Sequence, residues 1–293
     1  MSGDVLVRAG AAVYLATMMF SIGILVGAAP KAEPQARRRD RRLLLRALAI
    51  DLFVLPAAAW SILRLLGAHG YVATGLLILA AAPGSRILPS LARRAHGELT
   101  LSVEIALWLA KLTAFTAPTT LALLIDVHRV RLHDLRIIAA LLGIQLLPYL
   151  AGRALRRRRP RWAARLGRPL DLARTVLFVA LVALIVATGK LAGLRIIGEI
   201  GWIGVLVFSA FSLALGYVCG GARPSVRRSF ALAVNARDLS LSLALATLAF
   251  PGRPVELPLF AAWLITFACN VMFAELAGRR ARSASGEAFA YQR

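Results

Sequence analysis

Two long apolar stretches of this chain, 76–86 and 230–238, end in polar residues that could do chemistry. The first ends in helix-breaking residues beside an arginine, and the second ends in an asparagine, an arginine and an aspartate. These residues are Pro83, Gly84, Ser85 and Arg86 in the first stretch and Asn235, Arg237 and Asp238 in the second. An arginine that faces lipid near the bilayer centre costs about 2.5–3.5 kcal/mol. We therefore expect both arginines to face protein or a water-filled cavity and to mark a functional site.

Paired interruptions in opposite halves of a chain predict paired broken helices. In secondary transporters, discontinuous helices from the two halves meet near the bilayer midplane around the substrate site. A single interruption would be explained more simply by a kink at Pro83 or by an interhelical contact of Asn235. Two interruptions in corresponding positions favour a transporter.

The composition indicates an integral membrane protein. Of the 293 residues 59% are hydrophobic, compared with about 45–50% in soluble domains. The net charge of +22 comes from short basic runs between apolar windows, without interleaved aromatic residues. Such runs are typical of topology signals that also attract anionic lipid, and they argue against a nucleic-acid partner.

Nine apolar windows are long enough to cross a bilayer as helices. They are 5–28, 43–66, 71–92, 98–125, 135–153, 169–189, 198–220, 228–250 and 255–277. The sequence therefore predicts an all-α integral membrane protein with one transmembrane domain over 1–282. The longest connection, 154–168, is short and basic, and residues 283–293 are expected to form a flexible cytoplasmic tail.

The basic residues predict the orientation. The loops of one face carry about three times as many lysines and arginines as the loops of the other face. The positive-inside rule then places the C-terminus in the cytoplasm and the N-terminus outside, in a bacterial inner or plasma membrane. Spans two to four and seven to nine share the order of an apolar helix, a broken helix and a further helix, which predicts an inverted repeat.

Four segments resemble the bile acid:sodium symporter family and its wider bile, arsenite and riboflavin-type transporter superfamily. They are Met-Phe-Ser-Ile-Gly-Ile-Leu at 19–25, Pro-Gly-Ser at 83–85 with 91–102, Thr-Ala-Phe-Thr-Ala-Pro at 113–118, and 231–250. The resemblance implies a core with two crossing broken helices and a panel of other helices, whose relative movement gives alternating access. The core-like spans would be 43–125 and 198–277, and the panel-like spans 5–28 and 135–189.

The sodium-binding positions of that family differ here in the first half of the chain. The Ser-Asn pair that follows the family's Pro-Gly-Gly reads Leu88 and Pro89, whose side chains offer no ligand. Ser102 matches a serine of the next helix, but the threonine position one turn later reads Ala106.

The second half departs further. The family's Glu, Gln and Asn in the eighth span read Ala233, Arg237 and Asp238, and a glutamine of the second span reads Asp51. Sodium, a hard cation, needs a cage of oxygen ligands, and a nearby guanidinium would repel it. We therefore expect no sodium bound in the family manner and no cofactor.

The charged residues suggest a substitute for sodium. Arg86 and Arg237 would act as tethered cations, with Asp51 and Asp238 as their counter-ions. Guanidinium binds carboxylate or sulfate in a bidentate way, so we expect a small organic anion or amphipathic acid as the substrate. Either aspartate is a candidate proton carrier if transport is coupled to protons.

Several alternatives stay open. The charged cluster could be a static network in a membrane sensor or interaction subunit built on a transporter scaffold. Glu104 and Lys111 share one helix face and either line the cavity or pair with another helix. The outer-loop residues of 126–134 are expected to be polar surface rather than a metal site. The chain shows no nucleophile and base pair typical of an enzyme, and it is expected to be a monomer or homodimer.

Overall fold

The computed structural model describes residues 3–26, 34–85, 87–124, 135–187, 198–250 and 255–290. Within these ranges the chain forms twelve α-helices and no β-strand. They are α1 (Gly3–Val26), α2 (Pro34–Ala49), α3 (Leu55–Leu65), α4 (Gly70–Ala81), α5 (Leu88–Arg94), α6 (Leu99–Leu124), α7 (Leu135–Arg158), α8 (Pro160–Ala187), α9 (Gly198–Cys219), α10 (Pro224–Asn235), α11 (Leu239–Ala249) and α12 (Glu256–Ala290).

Three stretches of helix are long and apolar enough to cross a membrane, judged by length and composition over the described residues. They are Arg41–Leu65, Gly198–Cys219 and Glu256–Ser283. The all-α membrane fold is thereby confirmed, while the count of nine spans and the inverted repeat stay predictions. The basic stretch 154–168, expected to be a connection, is mostly helical because α7 runs to Arg158 and α8 begins at Pro160. Similarly, α12 continues to Ala290, through most of the segment expected to be a tail.

A π-helical turn, Ile50–Val54, joins α2 to α3 within one continuous span. Pro56 lies in the first turn of α3 and has no N–H group to donate to the preceding turn. A wider turn at this point accommodates the missing hydrogen bond, and such turns occur frequently at functional sites. The π turn carries Asp51, which is fully buried.

Two helices are broken at the places that the sequence indicates. The first break separates α4 from α5 between Ala81 and Leu88, and the second separates α10 from α11 between Asn235 and Leu239. Gly84 has a φ of +102°, a region that glycine adopts without strain. The second break keeps an extended backbone with negative φ angles at Ala236 and Asp238.

The two breaks lie side by side. Pro83 and Arg237 form an isolated antiparallel bridge. The Gly84 N–H donates to the Ala236 carbonyl at 3.0 Å, and the Asp238 N–H donates to the Ala82 carbonyl at 3.0 Å. Because backbone groups in a bilayer must be satisfied internally, each break supplies the hydrogen bonds that the other lacks. The expected crossing of two broken helices is therefore present.

Helix α1 packs chiefly against α7 and α8, the other panel-like helices, and also contacts α11. Its contact with α7 is close because glycines lie on both sides. A Cβ atom on Gly23 would lie 2.1 Å from the Tyr149 carbonyl oxygen, and one on Gly152 would lie 2.1 Å from that of Phe20. Small residues allow this approach of two membrane helices. Helices α1, α7 and α8 therefore form one packed group that faces the broken helices.

Candidate functional site at the crossing of the broken helices

A cavity of about 310 Å³ lies beside the crossing. Helices α1 and α8 form one side, and the two breaks with α12 form the other. Its polar wall includes the hydroxyl residues Ser85, Ser90, Thr175 and Ser240 together with Asp238, and Trp263 adds an aromatic surface. The cavity therefore combines hydrogen-bonding groups with one carboxyl-bearing residue among the described lining.

Arg237 also belongs to the lining of this cavity, but its side chain extends into a sealed region around Asp51. Its Nη2 atom donates to Asp51 Oδ1 at 3.2 Å, and neither side chain has any exposed surface. Nη2 also donates to the Val234 carbonyl, and Nη1 donates to the Ala80 carbonyl at 3.4 Å. The Phe208 ring lies against the guanidinium, with Cζ 5.5 Å from the ring centroid.

The two carbonyl groups explain why a cation is stable here. Ala80 lies in the last turn of α4 and Val234 in the last turn of α10. The last carbonyls of a helix have no partner within the helix and carry its negative dipole end. In broken-helix transporters such ends coordinate the coupling cation. The Arg237 guanidinium thus occupies a position suited to a cation.

The pair with Asp51 is made through one oxygen only. Asp51 Oδ2 and Arg237 Nε are buried and have no hydrogen-bond partner within the described residues. Removing one member of a buried pair leaves an uncompensated charge, which is strongly destabilising. Asp51 and Arg237 are therefore mutually dependent, as the expected counter-ion pairing requires.

Asp238 takes a different role from its neighbour. Its Oδ1 atom accepts hydrogen bonds from the N–H groups of Ser240 at 2.9 Å and Leu241 at 3.2 Å, and also from the Ser240 hydroxyl. It is therefore the N-cap of α11, at the positive end of that helix. Of the two expected counter-ions, Asp51 contacts Arg237, whereas Asp238 holds a helix end at the cavity wall.

Asn235 lies behind the second break in a buried polar network. Its Nδ2 atom donates to Ser209 Oγ at 3.0 Å and to Asn270 Oδ1 at 3.1 Å. The network joins α9, α10 and α12 and satisfies polar groups that would be costly in an apolar interior. Asn235 thus lies next to the site but is fully engaged in helix packing.

The remaining predicted residues of α6 lie away from the crossing. Ser102 is buried and donates to the Glu98 carbonyl at 2.8 Å, in the first turn of α6. Leu109, which contacts the position of Gly84, is seven residues further on, or about 10 Å along the helix. Glu104 is half-buried, and neither Ser102 nor Glu104 belongs to the described lining of the cavity. The Lys111 ammonium lies 4.4 Å from the Trp108 ring centroid.

Some expectations fall on residues outside the described ranges. Arg86 is one of these, although Ser85 and Ile87 on either side of it line the cavity. The polar outer-loop residues of 126–134 also lie outside. Pro83 and Gly84 are buried at the first break, and Ser85 is partly exposed.

Sequence reasoning missed two residues that shape the site. The Thr113 hydroxyl donates to the Leu109 carbonyl at 2.6 Å, and its Oγ1 atom also lies 3.3 Å from the Pro83 carbonyl oxygen, so that α6 contacts the first break. Trp263 donates its indole N–H to the Arg237 carbonyl at 3.2 Å, which orients the ring at the second break. The only indication in the sequence was a threonine and a tryptophan in apolar spans. Both residue types commonly serve as packing residues there, so neither pointed to the site.

Comparison with known proteins supports this architecture. The model of the Sodium Bile acid symporter family matches residues 12–196, a range that includes the first break and ends before the second. No curated protein matches the chain closely enough to be counted as a relative. The matched range covers well over half of the chain. The chain therefore belongs to the sodium bile acid symporter family, whose members are membrane transporters rather than enzymes.

Proposed function

We propose that this protein is a secondary active transporter that carries a small organic anion by alternating access, without sodium. The observation that carries the proposal is the cavity between α1, α8 and the crossing of two broken helices. Substrate sites of such transporters lie where broken helices of the two halves meet. Movement of the α1, α7 and α8 group against the broken helices would open the cavity to either side.

The size of the cavity favours a small acid. Its volume of about 310 Å³ is near the lower end of the range of about 300–1,000 Å³ for ligand pockets. A steroid acid would need a wider cavity than this conformation offers. The proposal of an anion rests on the family resemblance and on Arg86, which stands in the sequence between two lining residues.

The position of Arg237 supports the proposed independence from sodium. Its guanidinium already binds a carboxylate and the ends of two helices. A second cation about 4 Å away would be repelled by about 4 kcal/mol at an effective dielectric constant of about 20. The built-in cation would therefore do permanently what a bound sodium ion does reversibly.

Solute flux in liposomes tests this function. We would measure uptake of radiolabelled lactate, benzoate and taurocholate by the full chain, with sodium and proton gradients imposed separately. Arg237→Ala should abolish uptake. Arg64→Ala is the matched control, because Arg64 lies over Trp60 near the end of α3, with Cζ 4.9 Å from the ring centroid. The proposal fails if no probe accumulates under any gradient or if Arg237→Ala is fully active.

A sensor on the same scaffold is the second candidate. The observation that favours it is the complete burial of the Asp51–Arg237 pair, which is compatible with a static network. A sensor would bind one of the probes without flux, whereas a transporter would accumulate it. Equilibrium binding measured beside uptake therefore separates the two functions.

A further inference from the structure

We infer that Asp238 carries the proton that accompanies the anionic substrate, so that this protein is a proton–anion symporter. The inference rests on the proposed function and identifies its coupling ion and coupling residue. It depends on which of the two aspartates at the crossing shares the cavity with the substrate.

The structure separates the two aspartates. Asp238 lies in the wall of the 310 Å³ cavity and is 7% exposed. Asp51 is 0% exposed and is paired with Arg237 on the sealed side of the crossing. A proton and a substrate that enter the cavity therefore reach Asp238, not Asp51.

An ionised Asp238 would oppose an anionic substrate. Two negative charges about 4 Å apart at an effective dielectric constant of about 20 would weaken binding roughly a thousandfold. A proton from solution that bonds to the carboxylate removes this repulsion. The neutral carboxyl group and the anion together carry one proton and one negative charge, so the transported pair is neutral. On the other side of the membrane the anion and the proton leave, and the carboxylate is restored.

Few other charged groups face Asp238 within the described lining. The elements around it contribute Tyr14 from α1 together with hydroxyl residues and Trp263, and the Arg237 guanidinium is turned toward Asp51. Tyr149 of α7 packs nearby with Met18 and Ala244. Asp238 is thus the described lining residue that carries a carboxyl group.

The cap at α11 makes the proton site testable without breaking the fold. Asp238 uses Oδ1 to accept from Ser240 and Leu241. Asparagine and serine are N-caps of similar quality to aspartate, and neither side chain carries an ionisable carboxyl group. Asp238→Asn therefore imitates the protonated carboxyl group while it preserves the helix end.

The experiment compares wild type, Asp238→Asn and Asp238→Ser in liposomes that contain a pH-sensitive dye. Lactate uptake and proton entry are recorded together, and flux into protein-free liposomes is subtracted. We expect wild-type uptake to bring in protons and to be insensitive to the membrane potential. We expect Asp238→Asn to lose the proton entry that accompanies lactate. Its remaining net lactate uptake should respond to the membrane potential, because the anion then crosses without a proton.

The outcomes are distinguishable. If Asp238→Asn still couples lactate to protons, the inference is overturned while the proposed function stands. If folded Asn and Ser variants both move no lactate even under a favourable membrane potential, the inference is also overturned, because a neutral residue at this position should let the anion cross alone. If wild type accumulates none of lactate, benzoate and taurocholate under any gradient, the proposed function fails and the inference fails with it.

Discussion

The two breaks at the crossing are built in different ways. The first contains Pro83 and Gly84, and Gly84 has a φ of +102°. The second, at Ala236, Arg237 and Asp238, contains neither glycine nor proline. Local conformational preference accounts for the first break. The second depends on contacts with the first break, on the pair with Asp51 and on the Asp238 cap.

The two breaks therefore have different roles: the first provides backbone support, and the second carries the charged side chains. Successive residues in an extended backbone point to opposite sides. Arg237 and Asp238 follow each other at the second break, and Arg237 projects into the sealed region while Asp238 lies at the cavity wall. The extended turn thus places a fixed positive charge and an accessible carboxyl group on opposite sides of one crossing. The first break supplies the backbone against which both are held.

The largest expected effect comes from removing the fixed charge. Arg237→Ala leaves the Asp51 carboxylate buried without a cation, which we expect to cost about 3–5 kcal/mol in the free energy of unfolding. It should also abolish lactate uptake. Thermal unfolding and uptake measure the two effects. Added guanidinium should restore part of the stability, because the carbonyls of Ala80 and Val234 remain in place.

A matched double variant sharpens this test. Asp51→Leu combined with Arg237→Met replaces both charges by apolar groups and should recover most of the stability lost in Arg237→Ala. It should not recover uptake. Recovery of both properties would show that the pair is only a packing element.

The next effect contrasts the two breaks directly. Gly84→Ala places a Cβ atom 3.2 Å from the Leu109 Cβ atom at a φ of +102°, so we expect a loss of about 1–3 kcal/mol. Ala236→Gly at the second break has an ordinary φ of −72° and should cost about 1 kcal/mol or less. Unfolding temperatures of the two variants measure the contrast, and equal losses would remove the distinction between the breaks.

A smaller effect concerns the cap at the cavity wall. Asp238→Ala should lower the free energy of unfolding by about 0.5–2 kcal/mol, because the Ser240 and Leu241 N–H groups lose their acceptor. Asp238→Asn should lie within a few tenths of wild type. A comparable loss in both variants would mean that the carboxylate charge, rather than the cap, stabilises this end of α11.

The smallest effect concerns the tie between α6 and the first break. Thr113→Val keeps the shape of the side chain but removes the hydroxyl that donates to the Leu109 carbonyl and lies 3.3 Å from the Pro83 carbonyl oxygen. We expect a loss of about 0.5–1.5 kcal/mol and nearly unchanged uptake. A large loss of uptake with unchanged stability would instead assign Thr113 to the substrate site.

The sequence was most informative where a residue type has a strong local or environmental preference. Pro83 and Gly84 predicted the first break, and the charges in apolar spans predicted that Asp51 and Asp238 are counter-ions of Arg86 and Arg237, without specifying which aspartate pairs with which arginine. The capping role of Asp238 was not predictable, because it depends on where α11 begins. The helical basic stretch 154–168 was assigned to a connection because its charges ended the apolar windows, although arginine is a good helix former.

The central claim is that Arg237 holds permanently the position of a transported cation. The most direct test measures wild-type uptake of lactate into liposomes under an inward proton gradient, in sodium-free medium and in sodium medium, with uptake of radioactive sodium recorded in parallel. The account predicts equal lactate uptake in the two media and no sodium entry coupled to it. Lactate uptake that requires sodium and carries sodium with it would contradict the account.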